Sequence, residues 1–325
     1  MTPASSAPQI SDGRPLMLKE KRFLIPVIAL YAVLITVMIV TAVKPALDYD
    51  VSRALTSGGS VTYTIGNILE IWAEPVTLLP MCFIIAAASV FCIRSKAKGR
   101  LSMILGSGLM FACAVLSYQV IYRIVKYHCK LVDITQPWTV SPGPFATDKP
   151  WVKAVCALAG LLIACLFVYI ASRIPFDTLK KTARVLAFCV ICLLAELAII
   201  EGMKLVFGRM RYREWISVDR KVDMYPWYRV NGKPASDAFK SFPSGHTANS
   251  FLIMPMTFFF DALGKRRAGN IARICHLVWM AVIMTSRIMA GAHFLSDVAC
   301  GMLVSLTIVT VCGAIIFRKK APGEA

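Results

Sequence analysis

Residues 152–172 read V-K-A-V-C-A-L-A-G-L-L-I-A-C-L-F-V-Y-I-A-S, with one charge, Lys153, near the start. A run of that length and apolarity can cross a hydrocarbon core of ~30 Å as a helix. Runs of the same kind recur on both sides of it, over 23–43, 76–93, 101–125, 183–206, 248–263, 271–291 and 294–317, of which 248–263 is the shortest. Only helices and closed barrels satisfy their own backbone polar groups in lipid, and no strand-like alternation is present. The chain is therefore expected to be all-α, a polytopic membrane bundle of about eight transmembrane helices. An apolar fraction of 57% over 325 residues, above the ~45–50% of ordinary soluble domains, points the same way.

A formal charge of +18 raises the thought of nucleic acid, but the placement of that charge excludes it. Lys19, Lys21 and Arg22 precede the first run; Arg94, Lys96, Lys98 and Arg100 separate the second from the third. Arg173, Lys180, Lys181 and Arg184 separate the fourth from the fifth, Lys265, Arg266, Arg267 and Arg273 the sixth from the seventh, and Arg318, Lys319 and Lys320 follow the last. Every alternate connection is basic, which places those connections and both termini in the cytoplasm. The partners expected are membrane lipids and no nucleic acid. The cysteines lie mostly inside or beside apolar runs without paired spacing and act there as small hydrophobes.

Residues 1–22 form an expected cytoplasmic tail, disordered in its Ser-, Pro- and Ala-rich part, and 23–100 an N-terminal pair of transmembrane helices, the first of which reads as an uncleaved anchor. Residues 101–320 hold the remaining runs and all the motifs below. Outer loops are expected over 44–75, with a turn at Ser57-Gly58-Gly59-Ser60, and over 126–151. The longest outer segment, 211–243, carries Trp215, Tyr225, Trp227, Tyr228 and Phe239 and a tight turn at Asn231-Gly232, and it suits either an interfacial loop or a partial lid.

Three patterns fall at the outer ends of apolar runs: Lys204 with Arg211 seven residues on, Pro243-Ser244-Gly245-His246, and Ser286-Arg287 followed by His293 and Asp297. A phosphoryl group passing through its transition state gathers charge on its equatorial oxygens, which Lys204, Arg211 and Arg287 can match. Pro243-Ser244-Gly245 at a helix start offers free N–H groups, and Gly245 admits a phosphate closely. His293 and Asp297 are four apart, so a helix or a tight turn can join them; a carboxylate on one ring nitrogen fixes the tautomer and sharpens the other as a nucleophile. His246 is then left as the general acid. Glu201 stands one turn before Lys204 and is placed to pair with it, and Glu196 reads as a protonated or hydrogen-bonded core group. No carboxylate or histidine cluster with metal-ligand spacing appears at this face, so neither a metal nor another cofactor is expected.

These patterns resemble the signature of the type 2 phosphatidic acid phosphatase superfamily, K-x6-R-P, P-S-G-H and S-R-x5-H-x3-D, with Tyr212 standing where the family usually has proline. The resemblance covers roughly 183–317. It implies a metal-independent phosphatase working through a phosphohistidine, with His293 as nucleophile, His246 as acid and Asp297 as the orienting carboxylate. It also implies a six-helix phosphatase core within 101–320, the helix pair in 23–100 being additional.

The function expected is hydrolysis of a lipid phosphate or diphosphate, such as polyprenyl diphosphate or phosphatidic acid, at the extracytoplasmic face of the cell membrane. Alternatives are a lipid phosphotransferase, a phosphatase of soluble sugar phosphates and, outside enzymes, a lipid or solute transporter. The topology is checked by single cysteines at Lys233 and Lys98 in a cysteine-free background: an impermeant thiol reagent on intact cells should label the Lys233 position and spare the Lys98 position. The converse pattern would invert the topology.

Overall fold

The structure is a computed structural model, and it describes residues 21–56, 59–95, 99–135, 147, 149–217 and 225–318. The expected tail up to residue 20, the expected outer segment from 136 to 146, part of the 211–243 segment (218–224) and the basic residues Lys96, Lys98, Lys319 and Lys320 lie outside the described residues. Among the described residues the regular elements are all helices: α1 (Lys21–Val43), α2 (Pro45–Thr56), α3 (Gly59–Ser95), α4 (Arg100–Thr135), α5 (Pro150–Ser172), α6 (Phe176–Phe207), α7 (Tyr212–Ser217), α8 (Gly245–Phe251), α9 (Ile253–Met256), α10 (Phe258–Ala262), α11 (Arg266–Met289) and α12 (Leu295–Ile316). A single 3-10 turn spans Asp237–Phe239. Seven of these elements, α1, α3, α4, α5, α6, α11 and α12, are long and apolar enough to cross a membrane, so the protein is an all-α polytopic bundle. Leucines such as Leu158, Leu161, Leu162 and Leu166 are exposed along α5, a face suited to lipid rather than water.

The apolar run expected over 248–263 is not one long helix, and this is why the long helices number seven rather than eight. It traverses the bundle as α8, α9 and α10 in series. Pro255 has no N–H to give to the carbonyl of Phe251, and the chain tightens there: Leu252 N donates to Asn249 O at 3.0 Å and Thr257 N to Met254 O at 3.0 Å. The path runs alongside the C-terminal half of α6. At its start, Gly245 lies beside Lys204, near the end of α6. Toward its other end Phe258 stacks on Phe188, with ring centroids 5.4 Å apart, sixteen positions back along the same helix.

The expected outer loop 44–75 is also helical, as α2 and the first half of α3. Asn67, Glu70 and Glu74 end a hydropathy run by composition, yet they are 2%, 2% and 3% exposed and point into the bundle. Their buried hydrogen bonds keep the helix going where a loop was expected. α4 likewise continues past 125 to Thr135 and packs against α3 and α5. The α6 helix ends at Gly208 in the left-handed region (φ 49°), and Asn231-Gly232, which forms no tight turn, completes its cap: Asn231 N donates to Phe207 O at 3.2 Å and Gly232 N to Val206 O at 2.9 Å.

α3 sits at the centre, touching α4, α5, α6, α8 and α11. Its approach to α11 requires glycine: a Cβ on Gly66 would stand 2.7 Å from Ala290 N and 2.9 Å from the Ser286 carbonyl oxygen. Both obstacles are backbone, so neither can swing aside. Gly66→Val is expected to destabilise the bundle by ~1–3 kcal/mol, the usual range for overpacking, measured as a lower unfolding temperature in detergent. An unchanged temperature would contradict the α3–α11 contact.

Candidate active site

Three chain segments meet at one end of the bundle: the end of α6 with residues 208–211, residues 241–246 leading into α8, and the turn from α11 to α12. Gly301 on α12 allows the second and third to touch, since a Cβ there would fall 2.5 Å from the Ser244 carbonyl oxygen. Between them and α3 and α4 lies a cavity of about 400 Å³ whose wall includes His246, His293, Lys204, Arg211 and Gly245. Five of the residues with an expected catalytic or phosphate-binding role thus face one space. Its wall carries seven cationic side chains, with Arg123, Lys126, Lys130, Arg213 and Lys240 joining Lys204 and Arg211, against five carboxylates, Glu70, Glu74, Glu196, Glu201 and Asp237. The excess of positive charge suits an anion.

His293, 2% exposed, stands in the turn before α12. Its Nδ1 lies 2.7 Å from the Ser241 carbonyl oxygen and 3.7 Å from Asp297 Oδ2. A carbonyl only accepts, so Nδ1 carries the proton and donates it to Ser241, which leaves Nε2 with its lone pair. The spacing in the sequence puts Asp297 beside the ring, and it is there; the main-chain carbonyl of Ser241 stands closer to the same nitrogen. Asp297, as the third residue of α12, turns back to cap the helix and accepts from Phe294 N at 2.9 Å and from Ser241 Oγ at 2.5 Å through Oδ2. Burial lowers the His293 ring to about 4, so it is neutral near pH 7.

The other expected residues divide between the wall and the ground behind it. Lys204 Nζ pairs with Glu201 Oε1 at 2.6 Å, as the one-turn spacing implies. Gly245 is needed beside it: an added Cβ would come within 2.8 Å of Lys204 Nζ. Arg211 donates from Nε to the Asp237 carbonyl at 3.0 Å. His246 has Nε2 3.5 Å from Glu74 Oε1 and no hydrogen-bond partner for that nitrogen among the described residues. Arg287 is fully buried; Nη2 donates to Glu70 Oε1 at 2.9 Å, while Nε and Nη1 have no partner among the described residues. Ser244 lies behind the wall, where its hydroxyl caps α8 by accepting from Thr247 N at 3.5 Å and its N–H donates to the Asp297 carbonyl at 3.0 Å. Tyr212 opens α7 with its ring edge-on to Phe294 at 5.7 Å, filling buried space where the family pattern has proline.

Several polar groups at this end were not singled out from the sequence. Arg209, 1% exposed, donates from Nη1 to Asp297 Oδ1 at 2.6 Å and to Ser296 Oγ at 2.8 Å, from Nη2 to Asp48 Oδ2 at 2.9 Å and from Nε to the Tyr225 carbonyl at 3.1 Å. Asp48 of α2 also accepts from Ser296 N at 2.8 Å and from Ser296 Oγ. Burial pushes its carboxyl up against the pull of Arg209. On α3, Glu70 accepts from Lys130 at 2.7 Å and Glu74 from Arg123 at 2.6 Å. A signal for this second set was present: Asn67, Glu70 and Glu74 share one helical face, as do Arg123, Tyr127 and Lys130, and the two stripes match in charge. Arg209 sits in a run of alternate arginines, Arg209, Arg211 and Arg213, and nothing local distinguishes it.

Residues 184–321 match the family model of the PAP2 superfamily, the type 2 phosphatidic acid phosphatase superfamily, and that stretch contains every motif residue from Lys204 to Asp297. No curated protein and no solved structure matches the chain. The family match supports phosphatase-type activity, a phosphoric-ester hydrolase in general terms.

Arg209→Leu removes the only cation between two buried carboxylates that the described residues place there. Leaving buried charges unpaired costs ~3–5 kcal/mol. The variant is therefore expected to lose most of its folded yield in detergent, measured by size-exclusion chromatography and thermal unfolding. A yield and unfolding temperature equal to wild type would contradict the buried charge cluster.

Proposed function

We propose that this PAP2-superfamily protein is a membrane phosphatase that hydrolyses a lipid phosphate or diphosphate at the extracytoplasmic face, without a metal, through a phosphohistidine. The observation that carries the reading is the pair of imidazoles on one cationic cavity, with the His293 proton held at Nδ1 by Ser241 and Nε2 left with a lone pair. In this scheme Nε2 attacks phosphorus and the ester P–O bond breaks. His246 gives a proton to the departing oxygen. Water then attacks the phosphorus, passing a proton to His246; the P–N bond breaks and inorganic phosphate leaves. Lys204 and Arg211 on the wall supply donors for the phosphoryl oxygens, and Arg287, fully buried and bonded to Glu70 of the wall, adds positive charge behind it.

What supports a lipid substrate is the position of the cavity among membrane-crossing helices, with Leu197 and Ile200 of α6 as apolar residues on its wall. Each methylene left in hydrocarbon adds up to ~0.8 kcal/mol of membrane affinity and concentrates such a substrate beside the site. The alternate basic connections support the extracytoplasmic placement and cytoplasmic termini. A second reading, a soluble sugar phosphate, draws on the otherwise polar wall. Transfer of the phosphoryl group to a second lipid in place of water would use the same first half-reaction.

The test is phosphate release by purified protein in mixed micelles with excess EDTA. Expected are turnover of a long-chain lipid phosphate with higher kcat/KM than glucose 6-phosphate, inhibition by vanadate, and loss of turnover in His293→Ala with normal membrane insertion. The acid limb set by His293 should fall near pH 4 rather than at the ordinary imidazole value. An absolute need for magnesium, or near wild-type rates in His293→Ala, would overturn the mechanism; preference for the sugar phosphate would move the protein to the second reading.

A further inference from the structure

We propose that Asp48 is a positioning residue for the reaction, acting through Arg209 on Asp297 and His293. The inference rests on the reading of His293 as the nucleophile. Asp48 belongs to α2, outside the family-matched residues 184–321, so the matched segment does not contain this carboxylate.

The geometry ties Asp48 to the site in two ways. Its Oδ2 accepts from Arg209 Nη2 at 2.9 Å, and its Oδ1 accepts from Ser296 N at 2.8 Å, in the first turn of α12. Arg209 in turn donates to Asp297 Oδ1 at 2.6 Å. Asp48, Arg209 and Asp297 are 1%, 1% and 0% exposed, so no solvent shell screens one from the next. Asp48 therefore fixes both the guanidinium that holds Asp297 and the helix turn from which Asp297 projects.

Charge gives this arrangement a catalytic consequence beyond fixing geometry. When His293 Nε2 bonds to phosphorus the ring becomes cationic, and a nearby negative charge favours that change. Asp297 beside Arg209 alone would be a neutral pair and would offer little. Asp48 supplies the second carboxylate, so the trio keeps one net negative charge behind His293. The other charged or titratable groups facing the ring are Arg211 from the link after α6, Arg287 from α11 and His246 from α8, with Glu70 of α3 paired to Arg287. None of them is altered by changing Asp48. Removing the Asp48 charge makes the His293 cation less favourable, so kcat falls and the acid limb of kcat/KM moves to lower pH.

The experiment compares wild type, Asp48→Asn, and the double variant Asp48→Asn with Arg209→Gln, by kcat, KM and the pH profile of phosphate release. His293→Ala serves as the reference for the site itself. Asp48→Asn is expected to lower kcat about 10- to 100-fold, the scale seen for groups that orient metal-ligating histidines, with KM changed by less than about 3-fold and the acid limb displaced downward. The double variant leaves Asp297 as the one charge of the trio and is assayed per folded molecule, on the fraction isolated by size-exclusion chromatography; its acid limb should return toward wild type, because Asp297 regains its net charge. A role confined to folding would lower the amount of protein and leave kcat per folded molecule and the acid limb unmoved, which overturns the proposal. An acid limb displaced as far in the double variant as in the single one also overturns it. Retained activity in His293→Ala instead overturns the reading of the site, and the role of Asp48 with it.

Discussion

The buried guanidinium of Arg209 is the constraint on which this end of the molecule depends. A charge taken out of water must find opposite charge and hydrogen bonds or the fold loses several kcal/mol. Arg209 meets that demand with Asp48, Asp297, Ser296 and the Tyr225 carbonyl. Those partners come from α2, from the start of α12 and from the far side of the 211–243 segment. One side chain therefore fixes three parts of the chain that are distant in sequence. Asp297, so held, caps α12 and binds Ser241 Oγ, while the Ser241 carbonyl holds the His293 ring. The ring orientation follows from the charge cluster behind it.

The same rule governs the opposite wall of the cavity. Glu70 and Glu74 on α3 are buried because Lys130 and Arg123 on α4 meet them, and each carboxylate also faces a motif residue: Glu70 bonds Arg287, and Glu74 lies beside His246. Close helix approach makes this possible, through Gly66 against α11 and Gly301 against the Ser244 carbonyl. Donors held in this way need little reorganisation when charge develops on a bound phosphate. Arg287 illustrates the point, since one nitrogen is anchored and two remain unpartnered among the described residues.

The bundle was legible in the sequence because long apolar runs and alternating basic connections are strong, independent signals. The motif residues were legible as a set, and five of the eight with an expected catalytic or phosphate-binding role line the cavity. What sequence reading lost has physical causes. Hydropathy ends a span at a charged residue, so the polar face of α3 reads as a loop, although its charges are buried against partners on α4. Pro255 and its neighbours break a run whose composition alone reads as one helix. Asp48 and Arg209 are separated by 161 positions, and a contact of that range leaves no local pattern. Asp297 and His293 do meet, with Oδ2 3.7 Å from Nδ1 as the four-residue spacing allows, but a main-chain carbonyl, which has no sequence signature, stands closer to the same nitrogen.

The most direct measurement of the central claim, that His293 Nε2 is the attacking atom, is a rapid denaturing quench of the purified protein with a phosphorus-labelled lipid phosphate, followed by peptide mapping. The expected result is an acid-labile, base-stable phosphoryl group on the peptide that contains His293, appearing within the first turnover. A label on a serine or aspartate peptide, or product formed with no labelled protein at any quench time, would contradict it.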